Sequence, residues 1–164
     1  MFFQDLNEAL LNIRAESQPK DESEDVFIQY KFKKTSSYTN TSSVGPDGVK
    51  IDPIKREEIE GKNLIIIEDM YDTGNSMAKM VSNISAKDPK CLKVCVLLHK
   101  KNSDNQINYG YKADYIGFWC PDSFIIGYGM DYNEYFRDFR HIGIIAESAI
   151  EKFKNWDKLF GLIL

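Results

Sequence analysis

The sequence predicts an α/β fold in which helices flank a parallel sheet. Apolar segments of strand length alternate with segments whose apolar residues recur at helical spacing, as in parallel sheets. The clearest strand is the apolar run 64–67, which we expect to be buried on both faces. A short polar turn follows it, and then a helix with apolar residues at helical spacing: Met77, Met80, Val81 and Ile84.

The chain before this strand divides into a helix, a strand and a long polar loop. Residues 2–16 predict an amphipathic helix, and residues 26–30 have the composition of a strand. Residues 33–52 are rich in Ser, Thr, Asn and Gly, and a loop of this length is either disordered or a functional lid. Residues 49–51 could be the returning strand of a hairpin around it.

Further strands and a last helix follow the central strand. Residues 92–98 predict another buried strand, residues 115–119 a further strand, and residues 142–145 a shorter one. Residues 131–138 alternate aromatic and charged side chains and predict a structured loop. Residues 148–160 predict the C-terminal helix.

Length and composition indicate one globular domain over residues 1–164. The chain is 43% hydrophobic and 28% charged, with a net charge of −4. The absence of a basic stripe with interleaved aromatic residues argues against nucleic-acid binding. No apolar stretch in the sequence is long enough to span a membrane, and residues 1–6 lack signal-peptide features. Three cysteines without a paired framework indicate reduced thiols, so we expect a cytoplasmic protein.

The polar residues after the central strand predict a phosphate site. Glu68 and Asp69 follow the apolar run directly, and residues 72–76 form a small-residue turn before the helix. Ligands of open α/β sheets bind at the carboxyl ends of strands, and N–H groups at a helix start can wrap a phosphate. Carboxylates beside a phosphate commonly reach sugar hydroxyls or Mg²⁺. Taken alone, the turn could instead cap the helix and the acidic pair could be solvated.

The string 63–77, Asn-Leu-Ile-Ile-Ile-Glu-Asp-Met-Tyr-Asp-Thr-Gly-Asn-Ser-Met, resembles the 5-phosphoribosyl-1-pyrophosphate (PRPP) signature of type I phosphoribosyltransferases. We take residues 64–77 as the PRPP motif of this chain. Further motifs narrow the resemblance to the hypoxanthine-guanine phosphoribosyltransferases: Tyr111-Lys-Ala-Asp-Tyr-Ile-Gly-Phe, Pro121-Asp-x-Phe-Ile-Ile-Gly-Tyr and Asp131-Tyr-Asn-Glu-Tyr-Phe-Arg-Asp. The motifs keep the family's order between about residue 2 and about residue 153. The resemblance implies the type I phosphoribosyltransferase fold, a Rossmann-like parallel sheet flanked by helices.

The resemblance also implies an activity. Enzymes of this family transfer the phosphoribosyl group of PRPP to hypoxanthine or guanine in the presence of Mg²⁺, giving IMP or GMP and pyrophosphate. The implied role is purine salvage, with Mg²⁺ as cofactor and a homodimer or homotetramer as the assembly.

Roles for residues of the first motif follow from the resemblance. Glu68 and Asp69 would hold the ribose hydroxyls, directly or through Mg²⁺. Asp72 would be the general base that accepts the proton of purine N7. The 5′-phosphate cradle would consist of Asp72, Thr73, Gly74, Asn75 and Ser76.

A second set of implied roles lies in residues 100–138. Lys100 would donate to the purine 6-oxo group, Phe124 would stack on the base, and the backbone of Ile125 would meet its Watson–Crick edge. Asp131 would lie at the purine and bind a second Mg²⁺, and Arg137 would bind pyrophosphate. Each residue alone also fits a plainer interpretation: a surface lysine, a core phenylalanine, a turn aspartate, and an arginine paired with a neighbouring acid.

The mobile loop of the family carries a Ser-Tyr pair that closes over the site, and Ser37 and Tyr38 stand in the corresponding place. At Asn75 the family usually has lysine, so one cation near the phosphate is absent. Nothing in residues 1–52 matches the family's N-terminal Lys-Gly-Gly turn for pyrophosphate.

We expect the fold to lack the N-terminal part of the hood that covers the purine in this family, and one core strand beside residues 63–67. Three functional interpretations follow from these differences. An active purine salvage enzyme, in fragment or short form, is the first interpretation. The second is a catalytically weak or inactive paralogue that acts as a nucleotide-binding or partner subunit. The third, another α/β nucleotide module, does not explain residues 131–137.

Overall fold

The computed structural model describes residues 1–17, 28–36, 38–39, 42–43, 49–101 and 111–154. The chain groups into two compact units, and each is described by itself. The sheet unit is Ser17–Asp122, and the terminal unit combines Met1–Glu16 with Ser123–Leu164. No helix among the described residues is long and apolar enough to cross a membrane.

Two short antiparallel ladders precede the main sheet of the sheet unit. Strand β1 (Thr35–Ser36) pairs with β4 (Lys50–Ile51), and β2 (Tyr38–Thr39) pairs with β3 (Ser42–Ser43). The pairing of β4 confirms the returning strand expected at 49–51.

The strand expected at 26–30 is wrong for residues 28–30, which are described and lie outside any strand. Ile28 and Tyr30 are 48% and 42% exposed. Strand composition is not sufficient without a neighbouring strand to pair with. Residues 26 and 27 lie outside the described part of the chain.

A three-stranded parallel sheet forms the centre of the sheet unit, as the sequence predicts. Its order is β5 (Asn63–Tyr71), β6 (Cys91–Lys100) and β7 (Tyr115–Cys120). Helix α2 (Asn75–Ser85) connects β5 to β6 and begins four residues after β5 ends. Apolar residues of α2 pack on one face of this sheet, in a cluster that includes Met77, Val81, Val94 and Val96.

Strand β5 differs from the prediction in two ways. It continues through Glu68 and Asp69, which therefore lie within the strand and not after it. The expected burial on both faces is wrong at Ile65, which is 58% exposed. Among the described residues β5 pairs with β6.

In its described residues, the terminal unit contains two helices and a short ladder. Helix α1 (Phe2–Ser17) confirms the predicted N-terminal helix, although Leu10 and Ile13 of its apolar stripe are 46% and 59% exposed. The ladder pairs β8 (Ile125–Ile126) with β9 (Gly143–Ile144), and helix α3 (Glu147–Phe153) follows it. The expected continuation of this helix over 155–160 lies outside the described residues.

The side chain of Asp114 links the start of β7 to β6. Its carboxylate accepts hydrogen bonds from the backbone N–H of Val94 at 2.8 Å and from the Tyr111 hydroxyl at 2.9 Å, and it pairs with Lys93 Nζ at 2.8 Å. The Lys93 ammonium and the Val94 N–H lower the pKa of Asp114 to about 2. This carboxylate therefore stabilises the fold in its ionised form.

We predict that Asp114→Asn lowers the free energy of unfolding at pH 7 by about 1–2 kcal/mol, because the charged acceptor is lost. A depressed folded pKa gives stabilisation that is present above the unfolded value of 3.8 and is lost as the pH falls towards about 2. Urea unfolding should therefore show a difference in stability between the wild type and the variant that is smaller at pH 2.5 than at pH 7. Asp88→Asn, in an exposed ion pair with Arg56, is the control. Equal stability of Asp114→Asn and wild type at pH 7 contradicts the prediction.

Candidate functional site

The main candidate site lies where strands β5 and β6 end. Asp72 directly follows the last residue of β5, and Lys100 is the last residue of β6. Because parallel neighbours end at the same edge of the sheet, the two side chains meet, with Lys100 Nζ 3.1 Å from Asp72 Oδ2. This edge is where open α/β sheets bind ligands.

The interpretation of Lys100 as a surface lysine is wrong, because the residue is only 8% exposed. A buried ammonium requires a carboxylate to offset its lost hydration, and Asp72 supplies one. Asp122 Oδ1 lies 4.0 Å from the same nitrogen and adds a second negative charge. The sequence analysis assigned no role to Asp122, although its place two residues after β7 is a signal of the same kind as that of Asp72.

The loop between β5 and α2 contains the residues predicted to bind phosphate. Gly74, the N-cap of α2, has no side chain with which to cap the helix. Asn75 is buried at the first helical position. Its backbone N–H donates to Thr73 Oγ1 at 3.5 Å. A helix start directs N–H groups and positive dipole potential towards this loop.

Gly74 cannot be replaced without strain. Its φ of +86° lies in the left-handed region, and a Cβ at this position would stand 2.6 Å from the Tyr71 hydroxyl oxygen. The turn therefore depends both on glycine and on the aromatic residue that ends β5.

The acidic pair Glu68 and Asp69 occupies consecutive positions of β5, so the two side chains leave opposite faces of the strand. Burial, together with the charge of Asp69, raises the pKa of Glu68 to about 7. No cluster of three or more His, Cys, Asp or Glu that could hold a metal is present in the described residues. The described residues therefore do not form a metal site made of protein ligands alone, and the Mg²⁺ role of Glu68 and Asp69 stays a prediction.

The terminal unit carries the residues expected at the base. Phe124 is 39% exposed and contacts Tyr132 edge to face, with ring centroids 5.3 Å apart, so its interpretation as a core residue is wrong. Ile125 is buried in β8 and stands opposite Ile144.

Arg137 is fixed within the 129–137 loop by both backbone and side-chain acceptors. Its guanidinium lies 2.8 Å from Asp131 and 3.2 Å from Glu134, and it donates to the carbonyl of Gly129 at 2.9 Å. Asp131 also accepts the N–H of Glu134 at 2.8 Å, so it is a turn residue as well as an ion-pair partner. The Arg137 side chain is nevertheless 48% exposed.

The backbone of this loop is strained at three residues that are not glycine. The φ angles of Asn133, Glu134 and Phe136 are 48°, 67° and 73°. Strained backbone of this kind concentrates at functional sites, where the surrounding structure enforces it. The strain is consistent with a loop built to orient Arg137.

The predicted lid is only partly described. Tyr38 lies in β2 opposite Ser43, while Ser37 lies outside the described residues. The lid role of both residues therefore stays a prediction.

We predict that Glu68→Gln changes how stability depends on pH. Since the folded pKa of Glu68 is about 7 and its ordinary value is 4.5, ionisation costs more in the folded state, and the wild type loses stability as the pH rises between these values. At pH 8 the variant should be more stable than the wild type by up to about 3 kcal/mol, and at pH 4 the two should be similar. Urea unfolding at both pH values tests this, with exposed Glu57→Gln as the control. A variant that gains nothing at pH 8 would disprove the burial of this charge.

Known proteins resemble the chain over most of its length. Residues 13–133 match the phosphoribosyl transferase domain family. The hypoxanthine-guanine phosphoribosyltransferases of Homo sapiens and Mus musculus are each 39% identical over 153 residues, which is 93% of this chain and 66% of theirs. A solved mutant of the hypoxanthine phosphoribosyltransferase from Trypanosoma cruzi, complexed with the product IMP, matches with a TM-score of 0.73 and 28% identity over 93% of this chain and 70% of that one. The chain thus spans about two thirds of the length of the curated relatives.

Proposed function

Since the chain belongs to the phosphoribosyl transferase family, we propose that it transfers the phosphoribosyl group of PRPP to hypoxanthine or guanine, giving IMP or GMP and pyrophosphate. The observation that carries the proposal is the ion pair of buried Lys100 with partly buried Asp72, with Nζ and Oδ2 3.1 Å apart at the carboxyl edge of the sheet. The activity is a proposal because the chain spans 66% of the curated relatives.

The pair suits one edge of a 6-oxopurine. Atoms N7 and O6 lie side by side on that edge. A cation over O6 and a carboxylate over the N7 proton need to stand next to each other, as Lys100 and Asp72 do. Adenine presents a 6-amino group in place of the oxygen, and an ammonium cannot donate to it. The pair therefore favours hypoxanthine and guanine.

Asp72 serves as the general base in this proposal. The purine N9 attacks the ribose C1′, the bond from C1′ to the pyrophosphate oxygen breaks, and that oxygen keeps the electron pair. Asp72 accepts the N7 proton as the base becomes part of the nucleotide. The 5′-phosphate would rest on the backbone N–H groups of residues 73–76, which keep the ribose still during the transfer.

The acidic pair of β5 would hold the ribose. Glu68 and Asp69 would bind its hydroxyls, directly or through Mg²⁺. Mg²⁺, when bound, neutralises charge on the departing pyrophosphate.

Residues 124–137 supply the remaining proposed contacts. Phe124 presents more than a third of its surface to solvent and can stack on a base. The backbone of Ile125 would meet the Watson–Crick edge, and Asp131 would lie at the purine and bind a second Mg²⁺. Arg137, whose orientation is already fixed, would bind pyrophosphate by exchanging an acidic partner for a phosphate oxygen.

We predict that Asp72→Asn lowers the rate of nucleotide formation by at least about 100-fold, since it removes the general base. Binding of GMP should persist, because the backbone of the phosphate loop remains. Formation of IMP or GMP from PRPP, Mg²⁺ and the purine is followed by absorbance, with exposed Asp88→Asn as the control. A variant that keeps the wild-type rate would disprove the role of Asp72. A folded wild type that binds GMP but forms no nucleotide would point to the nucleotide-binding paralogue or partner subunit.

We predict that Lys100→Met weakens GMP binding by about 1–3 kcal/mol, the scale of a hydrogen bond to a charged group, and changes AMP binding far less. Methionine retains the apolar stem of the side chain, so the loss reports the ammonium. Titration calorimetry with both nucleotides measures the difference, and the exposed neighbour supplies the control variant Lys101→Met. Equal losses for GMP and AMP would exclude Lys100 as the reader of the 6-oxo group.

A further inference from the structure

Three aromatic rings lie side by side across the carboxyl end of the parallel sheet. Tyr71, His99 and Trp119 are register partners on β5, β6 and β7. The Tyr71 and His99 rings are stacked, with centroids 4.5 Å apart and planes 18° apart, and the Trp119 centroid is 4.3 Å from that of His99. We refer to these three residues as the aromatic ladder.

The ladder lies next to the proposed catalytic pair. Tyr71 directly precedes Asp72, and His99 directly precedes Lys100, with its Nδ1 3.1 Å from the Lys100 backbone oxygen. Consecutive strand residues point to opposite faces, so the His99 ring and the Lys100 side chain lie on opposite faces of the sheet. Tyr71 and His99 are 4% and 6% exposed and so are held within the protein, whereas Trp119, at the outer end of the ladder, is 53% exposed.

The Tyr71 hydroxyl lies next to the phosphate loop, at Gly74. This hydroxyl donates to the backbone oxygen of Tyr111 at 3.0 Å, which fixes the ring from its far end. The same oxygen fills the space beneath Gly74, where it would stand 2.6 Å from an added Cβ. The left-handed turn at Gly74 therefore rests directly on this hydroxyl.

We infer that Tyr71 is a positioning residue that sets the geometry of the phosphate loop 72–76, and that the aromatic ladder holds Tyr71 in place. The ring makes its contact with the loop at Gly74, while the stack with His99 fixes the strand end from which Asp72 follows. This inference rests on the proposed function, because its ligand is the 5′-phosphate of a purine nucleotide.

The test is a double-mutant cycle that combines Tyr71→Phe with Gly74→Ala, read by the dissociation constant for GMP. Tyr71→Phe should weaken GMP binding about threefold to tenfold, and Gly74→Ala should weaken it more. If the two effects were independent, the dissociation constant of the double variant would rise by the product of the two single increases. We expect it to be at least about threefold lower than that product predicts, because the atom nearest the added Cβ is gone. Recovery stays incomplete, since the left-handed φ still disfavours alanine.

A matched control and a melting series separate positioning from general stability. Tyr115→Phe removes the hydroxyl of an exposed tyrosine on β7 and should leave GMP binding unchanged. Circular dichroism melts of every variant should show that the recovery in GMP binding has no counterpart in melting temperature. A purely structural role would change stability and leave the two effects on binding independent.

A second pair of variants keeps the test decisive if Gly74→Ala does not fold. His99→Phe preserves the stack and should bind GMP within about twofold of the wild type, whereas His99→Ala should bind it more weakly. Additive effects in the cycle, wild-type GMP affinity of Tyr71→Phe, or equal affinities of the two His99 variants would each overturn the inference. A wild type that binds no GMP overturns the inference and the proposed function together. One that binds GMP without forming nucleotide from PRPP overturns only the proposed activity.

Discussion

The candidate site depends on one interaction, the ion pair between buried Lys100 and partly buried Asp72. An ammonium that is 8% exposed is stable only beside a carboxylate, and removal of either partner leaves an uncompensated charge. The pair forms because β5 and β6 run parallel and end at the same edge, which brings together residues 28 positions apart in sequence. The start of α2, with its turn at Gly74, follows directly from Asp72. Strand order, loop conformation and charge are thus linked through this pair.

The same interaction connects stability with chemistry. A purine that offers an acceptor at O6 and a proton at N7 gives each partner a replacement contact, so binding does not leave either charge unpaired. This exchange is why a buried charged pair is suited to a ligand that is polar along one edge and apolar on its faces. The aromatic ladder joins the ends of β5, β6 and β7 beside this pair.

Local patterns in the sequence predict most of the fold and the identity of many site residues. The apolar run, acidic pair and small-residue turn at 64–76 mark a strand, a loop and a helix, because each depends on neighbours in sequence. Other features depend on register, which no local pattern encodes. The ladder of Tyr71, His99 and Trp119 and the clamp of Asp114 on Val94 both join separate strands. The exposure of Ile65 follows from which faces other elements cover, and this too is a tertiary property.

The most direct measurement is a crystal structure of the chain with GMP. The proposed function predicts the 5′-phosphate on the backbone N–H groups of residues 73–76 and O6 of the guanine within hydrogen-bond distance of Lys100 Nζ. Asp72, in the protonated form that the transfer leaves, should then donate a hydrogen bond to N7. A nucleotide bound elsewhere, or a GMP complex in which Lys100 does not contact O6, would contradict the assignment of the Lys100–Asp72 pair as the purine-reading element.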